Sequence, residues 1–278
     1  MTFKLANVNN RASLVVEGLV FDLEKASNGS FTSNVMDAIA RHKDLHSISE
    51  SLIAESADGK LAEAELGAPV PRPRNSFGVG LNYRDHAAES SMELPPVPVV
   101  FSKYPSCING PFNAIDLRTT SADYEAELVV VIGSTTRDIK PNRAWEHVAG
   151  IMCGQDISDR GLQMAAKPPH FGLGKSRDTY GPTGPLLVST DVVANPDDLK
   201  ITCSVNGEVR QADRTSNMVF DVSYLISYLS NVLTLEAGDI IFTGTPAGVG
   251  AANGRFLKPG DEVVTEIEGI GLMRNNCI

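Results

Sequence analysis

Short runs of apolar and β-branched residues, separated by turn formers, set the pattern of this chain. Runs at Ser76–Gly80, Val97–Phe101, Ala126–Ile132, Leu186–Ser189, Ile201–Val205, Ile240–Phe242 and Glu262–Ile267 predict strands, because stretches this short bounded by Gly, Pro, Asn or Asp suit a pleated surface. Asn206-Gly207 between two runs predicts a tight hairpin whose central residues take positive φ. Pro259-Gly260-Asp261 predicts another reversal. Helical periodicity is confined to about Arg143–Ile151, Ser158–Met164 and Asp221–Leu233. Strands that do not alternate regularly with helices disfavour a doubly wound dinucleotide fold and predict a curled mixed sheet or sandwich.

The first 70 residues have their own character. Ala12–Leu23 reads as two strands around a Glu17-Gly18 turn, followed by a polar, helix-permissive stretch from Asn34 to Lys60. Ala68-Pro69-Val70-Pro71-Arg72-Pro73-Arg74 cannot be helical, so a boundary is expected there. This predicts a small N-terminal α/β domain over residues 1–70 and a larger unit over 71–278. At 278 residues, 42% hydrophobic and 21% charged, the chain is that of an ordinary globular protein. A net charge of −10 with no basic stripe argues against a nucleic-acid partner. Cys107, Cys153, Cys203 and Cys277 form no CxxC pair and read as buried free thiols in a reducing compartment. With no signal segment or membrane-length apolar run visible, the expected location is the cytoplasm, with no membrane partner.

Five short segments carry chemistry. In Asp123-Tyr124-Glu125-Ala126-Glu127, strand alternation puts Glu125 and Glu127 on one face, where a hard divalent cation would relieve their repulsion; the frayed start of an edge strand is the alternative. Asp156 precedes a predicted helix, where it is either a helix cap or a further carboxylate for the cation. Arg160 and Gln163 lie four and seven residues on, on one helical stripe, and suit an anionic, oxygen-rich ligand. Lys175, in Gly172-Leu173-Gly174-Lys175-Ser176, fails the phosphate-loop pattern because Pro169 stands where that motif needs Gly; it can instead face an oxyanion or lie in solvent. His86 and Glu89 are one helical turn apart, as an oriented general base requires, and the mobile-looking Ser90–Pro96 follows like a lid. Thr243-Gly244-Thr245-Pro246 offers amides and hydroxyls to a carboxylate, or is a plain turn.

These segments, in this order, resemble the fumarylacetoacetate hydrolase family over roughly residues 74–275, and specifically its smaller bacterial-type members. The resemblance implies an α+β fold, a mixed β-sandwich roll with a small domain in front, in a homodimer. It implies Glu125, Glu127 and Asp156 as ligands of Mg²⁺, with Mn²⁺ also suited. It further implies His86, Glu89 and Lys175 as catalytic groups and Arg160, Gln163 and Thr245 as substrate contacts. The expected reaction is metal-dependent cleavage of a carbon–carbon bond in a β-diketo or 2,4-dioxo acid of the acylpyruvate or fumarylpyruvate type. Decarboxylation of an oxaloacetate-like acid, or isomerisation of a 2-oxo/2-hydroxy-dienoic acid, is the alternative on the same site.

Overall fold

The computed structural model describes residues 2–278. Ten strands of its largest sheet follow one path: Gly59–Lys60, Leu19–Asp22, Arg11–Val16, Lys4–Val8, Gly181–Val188, Val148–Gln155, Ala126–Ile132, Ile240–Phe242, Ser76–Gly80 and Val99–Ser102. Neighbours on this path are antiparallel except Ile240–Phe242, which runs parallel to Ser76–Gly80. A second, antiparallel sheet orders Glu208–Arg214, Lys200–Val205, Glu262–Ile267 and Gly271–Asn276. The α+β mixed roll expected from the sequence is the fold found.

Ala126–Ile132 shows why the large sheet sits at the centre. Every residue of this strand is buried. Ala126, Leu128, Val130 and Ile132 join one apolar cluster, which also takes Ile201, Cys203, Val263 and Met273 from the second sheet. Val129 and Val131 point the opposite way, into a second cluster with Phe3, Leu5, Leu14 and Ile39 from the N-terminal segment. A strand apolar on both faces belongs between two layers. The N-terminal segment supplies one of them. Its first strand also continues the sheet, pairing Lys4 with Val188 and Leu5 with Leu187.

The predicted turns form as read: Glu17-Gly18 and Asn206-Gly207 close hairpins with positive φ at both central residues. Asp221 caps Val222–Val232 by accepting the Tyr224 amide at 2.7 Å. The polar N-terminal stretch supplies helices Val35–Ala40 and His42–Ser51.

Three expectations are corrected. The helix predicted at about Arg143–Ile151 is instead a 3₁₀ turn, Pro141–His147, leading into the buried strand Val148–Gln155. A short apolar run enclosed on both faces has no periodicity to separate strand from helix. Gly150 and Gly154 mark the strand: a Cβ on Gly150 would lie 2.4 Å from the Val188 carbonyl oxygen. The helix predicted from Ser158 begins only at Arg160, because Ser158–Asp159 pairs with Ala122–Asp123. Its cap is Asp159, which accepts the Leu162 amide at 3.1 Å; Asp156 is not a cap. Lys4–Val8 and Gly271–Asn276 are strands that the sequence pattern did not mark.

Candidate active site

Strand register brings the three acidic residues together. Ala126 pairs with Gln155 and Glu127 with Gly154 across two antiparallel strands. One step further, the Asp156 amide donates to the Glu125 carbonyl at 2.9 Å. Cross-strand partners share a face, as do residues two apart on one strand, so Glu125, Glu127 and Asp156 converge. One carboxylate oxygen from each lies within 4.8 Å of the others, and all three residues are buried. Gly154 stands opposite Glu127 with no side chain; a Cβ there would meet Val129 Cγ2 at 2.4 Å.

Cationic and amide donors surround the trio. Lys175 Nζ donates to Glu125 Oε2 and Asp156 Oδ2, both at 2.6 Å. Arg160 donates to Glu125 Oε1 at 2.5 Å, to Asp123 Oδ2 at 2.8 Å and to Gln163 Oε1 at 3.0 Å. Glu127 Oε2 accepts the Gly244 amide at 2.7 Å. Lys103 Nζ donates to Asp156 Oδ1 at 2.6 Å, to the Tyr180 carbonyl at 3.2 Å and to the Lys175 carbonyl.

This field splits the carboxylates. Burial would raise Glu125, but Lys175 and Arg160 outweigh it and hold the group at about 2. Glu127 goes the other way: burial, then the charges of Asp156 and Glu125, push it well above the usual carboxylate range. A buried carboxylate with like charges beside it and no cation of its own fits a hard divalent ion, which takes carboxylate oxygens.

Lys175 reaches the trio from the end of Phe171–Gly174, which packs closely on Arg160–Met164: a Cβ on Gly174 would lie 2.8 Å from the Gln163 amide nitrogen. His86 and Glu89 face the same cleft from helix Arg84–Glu89. Glu89 Oε1 pairs with His86 Nδ1 at 2.7 Å, while its Oε2 accepts the Gly248 amide at 2.9 Å. Burial favours the neutral acid, yet the His86 and Gly248 hydrogen bonds prevail and keep Glu89 below its ordinary value. With the carboxylate accepting from Nδ1, Nε2 is the ring nitrogen left for chemistry.

The cleft encloses about 380 Å³ and is lined by His86, Glu89, Glu125, Glu127, Arg160, Gln163, Lys175 and Thr245; Asp156 lies beneath them against Lys175. Met92, Met164, Phe171 and Val249 form its apolar side. The structure therefore assembles all nine residues singled out in the sequence. Two make contacts that the sequence did not suggest. Arg160 is held by protein carboxylates, and the Thr245 hydroxyl donates to the Ala126 carbonyl at 2.8 Å while accepting from Gln211 at 2.7 Å.

Sequence reasoning missed Lys103, Asp123, Asn82 and Gln211. Asp123 had a signal, being the next same-face position before Glu125. Buried completely, it accepts Arg160 together with the Gly250 and Ala251 amides at 2.7 and 3.0 Å. Asn82 ties the Phe220 backbone to the Thr243 carbonyl. Lys103 follows an ordinary strand and carries no local mark.

Sheet, cleft and acidic trio together describe a mixed α+β roll with a buried carboxylate cluster at the base of one cleft. Residues 75–278 match the family described as fumarylacetoacetate (FAA) hydrolase C-terminal, and the chain belongs to that family. It is 46% identical over 221 residues to oxaloacetate tautomerase FAHD2A, mitochondrial, of Bos taurus, covering 78% of this chain and 70% of that one. It superposes on fumarylacetoacetate hydrolase from Exiguobacterium antarcticum with a TM-score of 0.86 at 35% identity, covering 100% and 99% of the two chains. With maleylpyruvate hydrolase from Sphingobium sp. SYK-6, in complex with manganese(II) and pyruvate, the TM-score is 0.84 at 27% identity, covering 99% and 98%. Members of this family are enzymes of oxo acids. Among the described residues, no helix is long and apolar enough to cross a membrane.

Proposed function

We propose that this protein is a divalent-metal-dependent enzyme that moves a proton at the carbon beside the carbonyl of a 2-oxo acid, interconverting keto and enol forms of an oxaloacetate-like substrate. The observation that carries this reading is the His86–Glu89 pair, braced at 2.7 Å over the same cleft as the buried acidic trio. Glu125, Glu127 and Asp156 would hold Mg²⁺ or Mn²⁺, both suited to oxygen ligands. When bound, the ion would supply Lewis-acid polarisation of the 2-oxo group. His86 Nε2 takes the proton from the carbon, and Glu89 supports the imidazolium that forms. Lys175 places an ammonium where negative charge gathers on the enolate oxygen. The enolate oxygen then takes a proton from water while the imidazolium releases its own to solvent, which completes the enol; in the reverse direction the enol oxygen loses its proton to water and His86 delivers one to carbon. Gln163 and Thr245 line the cleft where substrate oxygens bind.

A second reading is hydrolysis of a carbon–carbon bond in a 2,4-dioxo acid, with His86 activating water. It is favoured by a cleft of about 380 Å³ with an apolar side, more room than a four-carbon acid needs, and by the likeness to a maleylpyruvate hydrolase. Decarboxylation needs no proton removal from water and is separated by its product. The test mixes enol-oxaloacetate and a series of acylpyruvates with protein and Mg²⁺ or Mn²⁺, following enol absorbance and identifying products by NMR. Accelerated loss of the enol band without carbon–carbon cleavage supports tautomerisation, and a cleaved acid pair supports hydrolysis. No turnover of either, with metal present, sinks both.

A further inference from the structure

The oxygens of the acidic trio are not equivalent. On each carboxylate a protein donor outside the trio claims one: Arg160 takes Glu125 Oε1, the Gly244 amide takes Glu127 Oε2, and Lys103 takes Asp156 Oδ1. The second oxygens are Glu127 Oε1 and the pair Glu125 Oε2 and Asp156 Oδ2, which share the single Lys175 ammonium at 2.6 Å; a bound ion would take that ammonium's place between them. Lys103 is the least expected of the three donors. Its side chain is fully buried and its ammonium satisfies three acceptors, two of them backbone carbonyls that fix its place. A buried ion pair adds little net stability over apolar residues of similar volume, so stability alone does not account for a lysine here.

We infer that Lys103 determines which ion this centre accepts: by withholding Oδ1 it keeps Asp156 a single-oxygen ligand and favours a small octahedral divalent cation over calcium. The inference rests on reading the trio as an ion centre. Mg²⁺ keeps near-ideal octahedral geometry and takes few carboxylate oxygens alongside water, whereas Ca²⁺ accepts six to eight ligands and readily takes both oxygens of one carboxylate. Three single-oxygen ligands make half an octahedron and leave the remainder to water and substrate. Without the Lys103 ammonium, Asp156 Oδ1 is released beside Oδ2, and the larger ion gains a ligand that the smaller one cannot use. Lys103 is thus a positioning residue, acting through Asp156.

The test uses full-length, chelator-stripped protein without substrate. Bound Mn²⁺ is followed by electron paramagnetic resonance and displaced with Mg²⁺ or Ca²⁺. Wild type should prefer Mg²⁺ over Ca²⁺, and Lys103→Met should shift that ratio toward Ca²⁺ by about tenfold. A merely structural lysine would lower the melting temperature and leave the ratio alone, which overturns the inference. If wild type binds no Mn²⁺, the ion-centre reading itself has failed, a distinct result. Should Lys103→Met not fold, crystals of wild type grown with Ca²⁺ decide: one Asp156 oxygen on the ion with Lys103 in place supports the inference, and two-oxygen coordination overturns it.

Discussion

Replacing Glu127 by Gln should make the metal-free protein more stable while removing its response to metal. The amide has nearly the volume of the acid and can still accept the Gly244 amide. What disappears is a buried negative charge. Carboxylate oxygens of the trio lie within 4.8 Å of one another; at that separation and an effective dielectric of about 20, one like-charge pair costs about 3.5 kcal/mol. Lys175 and Arg160 offset much of this around Glu125 and Asp156. The net gain from Glu127→Gln should be about 1–3 kcal/mol, a rise of roughly 2–6 °C in melting temperature in chelator. The sign depends on pH. A carboxyl raised in the folded state weakens folding as pH rises through its raised value, so the advantage should be largest above that raised value and vanish below the ordinary carboxylate range. Saturating Mg²⁺ at a hundredfold over its Kd should stabilise wild type by about 2.7 kcal/mol, and the variant hardly at all. Calorimetry of both proteins, in chelator and in Mg²⁺ across pH, checks all of this. A variant less stable than wild type in chelator, or equally stabilised by Mg²⁺, refutes the reasoning.

Three further outcomes are expected. His86→Ala should keep Mn²⁺ binding and lose turnover by about 10²–10⁴-fold, and near-wild-type rates would remove the imidazole from the reaction. Because Glu89 sits below its ordinary value, its contribution to holding helix Arg84–Glu89 is present above the usual carboxylate range and lost as pH falls through the depressed value; hydrogen exchange in Arg84–Glu89 should rise there, and Glu89→Gln should abolish that pH dependence. Gly154→Ala should destabilise the protein by about 1–3 kcal/mol, since its Cβ would meet Val129 at 2.4 Å and Phe242 at 2.8 Å; a denaturation midpoint equal to wild type would contradict the packing described.

Much of the candidate site was legible in the sequence because strand and helix periods act locally. Alternation alone puts Glu125 and Glu127 on one face, and one helical turn joins His86 to Glu89. Their meeting with Asp156 came only from the family resemblance and not from periodicity, because it depends on the Ala126–Gln155 register between strands, and the first half of the second strand reads from sequence as a helix. Lys103 was invisible for a related reason. Nothing near it in sequence marks it as buried, and its acceptors come from residues 53, 72 and 77 positions away. Periodicity reports which face a residue takes on its own element, not what another element brings to that face.

The N-terminal segment meets the central sheet on the face that carries the side chains of Val129 and Val131. Anyone who trims the gene to the family's span, beginning at residue 75, would strip Phe3, Leu5, Leu14 and Ile39 from that face and leave Gly181–Val188 with an open edge. Sticky aggregates, rather than a minimal enzyme, would come out of the column.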